Sequence, residues 1–336
     1  MRIGINGYGR MGRLFLRAAA RFPELELVHV NEPKGSDETL ALITEFDSVQ
    51  GRFASPCSSP AKGRLRIGEQ ELRRTAATSP AEIDWAASGV QLVVEASGRF
   101  RSTALLQPHF ENGAQRVLVS APVKDGPPNI VVGVNDQGVD FASERILTAA
   151  SCTTNCLAPV VRVLHDSFGI ERGVVTTIHD PTNTQVVHDL PQSDPRRSRA
   201  AQINLIPTTT NSATAVTLIV PELAGKLDSI AVRAPVLNAS LTDCAFHVAR
   251  DCSPEEVNAA LKAASDCAPL RGILGYEERP LVSSDFAGDP RSGIVDALST
   301  RVVDRRLVKV MAWYDNEWGY ANRLAELALR IAQAAV

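Results

Sequence analysis

Apolar residues in the first 150 positions come in short runs, each closed by small or polar residues. Residues 2–6 (RIGIN) form the first such run and predict a buried strand. A helical run from Arg13 to Phe22 follows, and a second apolar strand, Leu25 to Val30, ends at Asn31-Glu32. Ser36 to Phe46 predicts a helix. Residues 51–78, short charged pieces broken by Gly and Pro, predict hairpins on the flank. Strands are expected at Val90 to Glu95, Arg116 to Ser120, Asn129 to Val134 and Arg145 to Thr148. Several end in small residues, as in a parallel sheet whose carboxyl edge faces a ligand.

After residue 150 the pattern changes. Leu157 to Phe168 is an apolar, helix-like run, and Gly173 to His179 a β-branched strand. Ser229 to Val236 and Leu307 to Trp313 read as strands. In Leu241 to Val248 the residues Cys244, Phe246 and Val248 alternate with Asp243 and His247, the pattern of a half-buried strand. Ser253-Pro254-Glu255-Glu256 is a capping box with proline at the first helical position, opening a helix to about Ala264. Glu317 to Ala334 predicts a closing helix with apolar residues at 324, 327, 328 and 331. The polar segment 180–201 is long for a compact domain, which marks it as functional or held by a partner subunit. The fold class expected is therefore α/β, with a βαβ-type first domain and, from a boundary near 150, an α+β domain on a mixed, largely antiparallel sheet.

The first turn supplies candidate chemistry. Gly7-Tyr8-Gly9-Arg10-Met11-Gly12 lies between a strand and a helix, and a second strand follows. This is the Rossmann dinucleotide-binding unit, in which one glycine allows the tight turn, one admits the pyrophosphate to the backbone, and one lets helix pack on strand. Glu32 lies 20 residues past Gly12 (32 − 12), where a carboxylate accepts bonds from ribose hydroxyls. Its charge repels a 2′-phosphate, so NAD is favoured over NADP, with Lys34 near enough in sequence to soften the repulsion.

Composition narrows the classes. The 336 residues suggest two domains, and 44% hydrophobic with 22% charged residues is an ordinary globular balance. A formal charge of −3 argues against a nucleic-acid binder driven by bulk electrostatics. No apolar run approaches 18 residues, so no membrane span is expected, and the N-terminus reads as a strand instead of a signal peptide. Six scattered cysteines (57, 152, 156, 244, 252, 267) fit free thiols in a reducing cytoplasm. Cys152 and Cys156 lack partners at zinc-site spacing, so no metal is expected.

Ser151-Cys152-Thr153-Thr154-Asn155-Cys156 holds the candidate nucleophile. At a helix N-terminus, exposed N–H groups and the helix dipole favour a thiolate, the reactive form of cysteine. Ser151 and Thr153 could hold an anion beside it.

Together the motifs INGYGRMGR (5–13), FDSVQGRF (46–53), EASGRF (95–100), VSAP (119–122), ASCTTNCLAP (150–159), TTIHDPTNTQ (176–185), DLP (189–191), RRSRA (196–200), IPTTT (206–210), AVRAP (231–235) and WYDNEWGYANR (313–323) resemble the phosphorylating glyceraldehyde-3-phosphate dehydrogenases over nearly the whole chain. The resemblance implies an NAD-binding Rossmann domain of residues 1–150 and 316–336 and a catalytic domain of 151–315. It implies Cys152 as nucleophile and His179 as its base and later acid. Gly9, Arg10, Met11, Glu32, Ser97, Ser120, Asn316 and Tyr320 would hold NAD, Asn316 through the nicotinamide carboxamide. Thr182 and Arg233, with Thr184, would hold the phosphate of glyceraldehyde 3-phosphate. Ser151, Thr153, Thr210 and Asn211 would hold inorganic phosphate or arsenate. The segment 180–201 would line a neighbour's cofactor pocket in a homotetramer.

Some positions depart from the glycolytic form. Glu32 stands for Asp, Gln50 for His and Ala149 for Asn. Asp180-Pro181 stands where small or aromatic residues follow the histidine, and Asn211-Ser212-Ala213-Thr214 stands for Gly-Ala-Ala-Lys. Several of these features resemble a branch associated with arsenate resistance, which implies arsenate as attacking anion and 1-arseno-3-phosphoglycerate as product. The rival readings are erythrose-4-phosphate dehydrogenase, against which Thr182 and Thr210 are both present, and a catalytically idle nucleotide-binding protein, against which the Cys152/His179 pair is intact.

Overall fold

Two large sheets, each built in its own part of the chain, and one two-stranded sheet carry the strands of the computed structural model, which describes residues 1–123 and 125–335. Lys124 and Val336, both inside the expected cofactor domain, lie outside the described residues. The chain divides into two units: Met1–Ile130 with Gly138–Ala150 and the segment beginning at Ala321, and Val131–Gln137 with Ser151–Tyr320.

In the first unit, β1 (Arg2–Asn6), α1 (Arg10–Ala19) and β2 (Glu26–Asn31) form the opening βαβ turn. Next come α2 (Asp37–Glu45), the short pair β3 (Phe46–Asp47) and β4 (Gly51–Arg52), and β5 (Cys57–Ser58), β6 (Arg64–Ile67) and β7 (Gln70–Thr75). The remaining elements are β8 (Leu92–Glu95), α3 (Thr103–Glu111), β9 (Arg116–Val119) and β10 (Ile146–Thr148). The sheet order is β10-β9-β8-β1-β2-β7-β6-β5. The pairings from β10 through β7 are parallel, and those of β7 with β6 and β6 with β5 are antiparallel. Ile3, Ile5, Val93, Val94, Val117 and Leu118 are all buried, as the near-continuous apolar runs of a parallel sheet covered on both faces require.

Three expectations need correction here. The hairpin strand β7 pairs directly with β2, so the 51–78 region extends the main sheet instead of only flanking it. Helix α1 begins at Arg10, three residues before the expected start, because Gly12 is a helical residue. Asn129 to Val134 is not a strand and makes a single parallel bridge, Asn129 to Thr148. Nearby side chains take the N–H groups a ladder needs: Asn135 Oδ1 accepts from Val131 N at 2.8 Å and Asp136 Oδ1 from Gly133 N at 2.8 Å.

The second unit runs α4 (Cys152–Phe168), β11 (Ile170–His179), β12 (Ile206–Thr209), α5 (Ser212–Ile219), β13 (Leu227–Arg233), β14 (Ser240–Val248), α6 (Pro254–Asp266), β15 (Leu274–Glu277), β16 (Gly293–Val303) and β17 (Leu307–Tyr314). Helix α7 (Trp318–Ala334) closes the chain. The sheet order is β12-β13-β11-β14-β17-β16-β15. Two of its pairings, β11 with β13 and β15 with β16, are parallel, and the rest are antiparallel. Burial alternates strictly along β14. Helix α4 packs across β14, β16 and β17 with α5 and α6 beside it. The approach is close: a Cβ at Gly293 on β16 would lie 3.0 Å from Cys156 Sγ and 3.1 Å from its carbonyl oxygen.

Candidate active site

Helix α4 starts earlier than its apolar run because its first turn is polar. Ser151 is the N-cap, in extended conformation, and its hydroxyl accepts from Thr154 N at 3.2 Å. Ala150, just before it, has φ +53, a left-handed value that a side chain tolerates at a cost of about 1–2 kcal/mol. Cys152 is the first helical residue, among backbone N–H groups that no carbonyl of the helix reaches. Cys156, one turn on, is buried and its thiol is pushed up to about 12 by burial, so it is no nucleophile.

Strand β11 ends at His179. Its Nε2 lies 3.7 Å from Cys152 Sγ. Its Nδ1 lies 2.6 Å from Asp180 Oδ1 and 2.8 Å from the Asp180 carbonyl oxygen. Burial disfavours the imidazolium, but the Asp180 and Cys152 hydrogen bonds and the Cys152 charge outweigh it and lift His179 to about 9. The ring meets Tyr314 edge-on at 6.0 Å, and the Tyr314 hydroxyl lies 2.9 Å from Thr153 Oγ1. Arg233, at the end of β13, is the register partner of His179, and its Nη1 donates to the Asp180 carbonyl at 3.1 Å. Its Nε is buried with no hydrogen-bond partner among the described residues, a donor left for an anion.

The other expected anion ligands form two clusters. The Thr182 and Thr184 hydroxyls lie 3.0 Å apart, and Thr182 donates to Gln185 Oε1 through both N and Oγ1. Thr210 Oγ1 lies 2.6 Å from Ser212 Oγ, and Asn211 is the exposed N-cap of α5, with no side-chain capping bond. Asn316 is buried, and its Oδ1 accepts from Ser240 Oγ at 2.9 Å, so recognition by this side chain would use its amide N–H donors. Tyr320 is buried in the first turn of α7.

In the first unit the three glycines divide the work of the turn. Gly7 has φ +90, and a Cβ there would lie 2.4 Å from the Ser97 backbone. A Cβ at Gly12 would lie 2.2 Å from the Gly7 carbonyl oxygen. Gly9, the N-cap of α1, has nothing within 4 Å of the space a Cβ would fill. That open space beside the N–H groups of Arg10 and Met11 fits a pyrophosphate. The Arg10 side chain ion-pairs with Asp47, so a dinucleotide would meet the main chain of this residue. Glu32 Oε2 accepts from Tyr8 N at 2.9 Å and Oε1 from Lys34 N at 3.2 Å. Ser97 and Ser120 follow the carboxyl ends of β8 and β9, and Ser97 N donates to Glu95 Oε1 at 2.9 Å.

Asp180, Tyr314 and Ser240 hold no role in the sequence-based expectation. Asp180 carried one signal, an acid directly after the histidine. Tyr314 lay within the WYDNEWGYANR stretch, and Ser240 carried none, because strand pairing alone brings it to the site. Among the described residues no group of three His, Cys, Asp or Glu could hold a metal ion, and no helix is long and apolar enough to cross a membrane.

Residues 1–103 match the family model for the glyceraldehyde 3-phosphate dehydrogenase NAD binding domain, and residues 151–316 the model for that family's C-terminal domain. Similar proteins include glyceraldehyde-3-phosphate dehydrogenase 3 of Nostoc sp. (strain PCC 7120), 57% identical over 99% of this chain and 98% of that protein. Glyceraldehyde-3-phosphate dehydrogenase 1 of Bacillus subtilis and the glyceraldehyde-3-phosphate dehydrogenase of Geobacillus stearothermophilus are each 46% identical over the same shares. The chain belongs to the glyceraldehyde 3-phosphate dehydrogenase family and is one of its NAD-dependent oxidoreductases.

Proposed function

We propose that the protein oxidises glyceraldehyde 3-phosphate through a thioester on Cys152 and passes the acyl group to a tetrahedral oxyanion, phosphate or, in arsenate resistance, arsenate. The observation that carries the reading is the Cys152 Sγ to His179 Nε2 approach of 3.7 Å at a helix N-terminus. Cys152 gives its proton to Nε2, and the thiolate adds to the aldehyde carbon. His179 returns the proton to the new alkoxide. NAD, held by Gly9, Arg10, Met11, Glu32, Ser97, Ser120, Asn316 and Tyr320, supplies the hydride acceptor when bound. As the carbonyl re-forms, His179 takes the hydroxyl proton back and the acyl group remains on Sγ. Arg233, Thr182 and Thr184 hold the substrate phosphate. The oxyanion, held by Ser151, Thr153, Thr210 and Asn211, attacks the thioester, and Sγ leaves as thiolate. The products are 1,3-bisphosphoglycerate with phosphate and 1-arseno-3-phosphoglycerate with arsenate.

Arsenate use is supported by the resemblance in FDSVQGRF, TAASCTTN, HDPTNTQ and IPTTT. A cytoplasmic homotetramer is the assembly proposed. The second sheet exposes Val174 and Ile178 on β11, Ile230 on β13 and Leu307 on β17, an apolar face suited to a second copy. The test is product identity by mass spectrometry with phosphate and arsenate in competition. NADH with acyl phosphate as the sole product at equal anion concentrations removes the arsenate reading and keeps the dehydrogenase. Absence of NADH formation with either anion removes both.

A further inference from the structure

We propose that Asp180 is a positioning residue for the reaction, its carboxylate holding His179 by the Nδ1–H so that Nε2 alone works on Cys152. The inference rests on His179 being the base. Its geometric ground is a chain of contacts within the second unit. Asp180 Oδ1 lies 2.6 Å from His179 Nδ1, and His179 Nε2 lies 3.7 Å from Cys152 Sγ. Behind Asp180, Ser240 Oγ accepts from Asp180 N at 3.3 Å and lies 3.3 Å from Asp180 Oδ1 and 2.9 Å from Asn316 Oδ1. Its single proton serves one of those two acceptors at a time.

Asp180 is only 3% exposed, and a buried carboxylate is costly without a cationic partner. Arg233 does not fill that role, because its Nη1 donates to the Asp180 carbonyl oxygen and not to the carboxylate. The group that meets the carboxylate is the imidazole. Pro181 follows, which biases Asp180 to extended backbone and limits its freedom to turn away. With Nδ1 a donor to both Asp180 oxygens, the ring keeps its Nε2 lone pair for the thiol proton. The carboxylate then stabilises the imidazolium that forms. An amide in the same place could turn its NH2 to Nδ1 and force the opposite tautomer. The charged or titratable groups facing the pair are Cys152 from α4, Tyr314 from β17 and Arg233 from β13, with Arg197 acting on Arg233.

The test compares Asp180→Asn, Asp180→Glu and His179→Gln in the full-length protein. The readouts are the pre-steady-state NADH burst, kcat, KM and the alkaline limb of the pH profile. In the parent that limb should report His179, whose imidazolium the Asp180 and Cys152 contacts hold up to about 9. Asp180→Asn should lower kcat by about 100-fold and move the limb down by about one pH unit or more. KM for aldehyde and the NAD dissociation constant should stay within about threefold, since the Asp180 side chain is buried against His179 and Ser240. Asp180→Glu keeps the charge and should keep the limb. An Asp180→Asn enzyme with parental kcat and an unmoved limb overturns the proposal. So does an Asp180→Glu enzyme whose limb falls by about one pH unit or more; this arm is read against the parent, so it stands even if Asp180→Asn fails to fold. A parental burst in His179→Gln would instead overturn the base assignment, and this proposal with it.

Discussion

Gly12→Ala tests how far the dinucleotide turn depends on atomic closeness. A methyl at Gly12 would lie 2.2 Å from the Gly7 carbonyl oxygen and 3.2 Å from Ile5 Cγ2. An ordinary C···O contact is about 3.3 Å, so α1 must retreat by about 1 Å (3.3 − 2.2). Gly7 cannot give way instead. Its N–H donates to Asn31 O at 2.9 Å, and Ser97 backbone closes its other side. The retreat withdraws the Arg10 and Met11 N–H groups from the place proposed for the pyrophosphate. Charge-assisted bonds of this kind are worth about 1.5–3 kcal/mol each, so weakening two should raise the NAD dissociation constant about 100-fold. Overpacking itself costs about 1–3 kcal/mol, within what a folded domain tolerates. Gly9→Ala is the contrast: with nothing within 4 Å it should leave the melting temperature unchanged, and it should still weaken NAD, because the proposed dinucleotide would fill that space. Calorimetric titration with NAD, beside thermal melts, separates the two effects. Alkylation of Cys152 by iodoacetamide should be unchanged in both variants. A folded Gly12→Ala protein with an NAD affinity within threefold of the parent would refute the reasoning.

Cys152→Ala should abolish aldehyde oxidation while sparing NAD binding, and residual NADH formation in stopped flow would take Cys152 out of the mechanism. His109→Ala should destabilise the first unit by about 2–4 kcal/mol, each buried group left short of a partner costing about 1–3 kcal/mol. It strips a partner from Trp85 Nε1, 3.0 Å away, and from Glu95 Oε2, 3.1 Å away, both buried. Urea unfolding would show the shift, and a change below 1 kcal/mol would mean that the network is not structural.

What was legible in the sequence followed local rules. The Gly7, Gly9 and Gly12 spacing conveyed the turn because each glycine answers a separate steric need. The Ser253/Glu256 capping box was readable because both halves lie within one turn, at 3.3 and 2.8 Å. Helix α3 was not read: Pro108 sits inside it, and only Leu106 and His109 are buried, so its apolar stripe is faint. Strand β16 escaped because its register shifts between Asp296 and Arg301, which breaks the alternation. Asn129 to Val134 misled because apolar runs do not reveal that Asn135 and Asp136 will claim their N–H groups. The partners of His179 were invisible for a different reason. Ser240 and Tyr314 are set beside it by pairings among β11, β14 and β17, which no local pattern encodes.

Two buried histidines show why such partners decide chemistry. His109 accepts from Trp85 Nε1 at Nδ1, so its Nε2 must carry the proton it gives to Glu95. Both nitrogens are consumed, and the ring ties α3 to the end of β8. His179 also pairs with a carboxylate, but through Nδ1, and what remains is Nε2 toward a sulfur. Composition and burial are alike in the two cases; the nitrogen left over differs. The same holds for the thiols of α4. Cys156 faces Thr242 Oγ1 at 3.7 Å and the Ala312 carbonyl at 3.9 Å in a sealed interior, where burial keeps it protonated. Cys152 sits one turn earlier, partly exposed, at the positive end of the helix and beside an imidazole that Asp180 keeps charged. Reactivity in this protein is therefore a property of which acceptor and donor sites the fold leaves unspent.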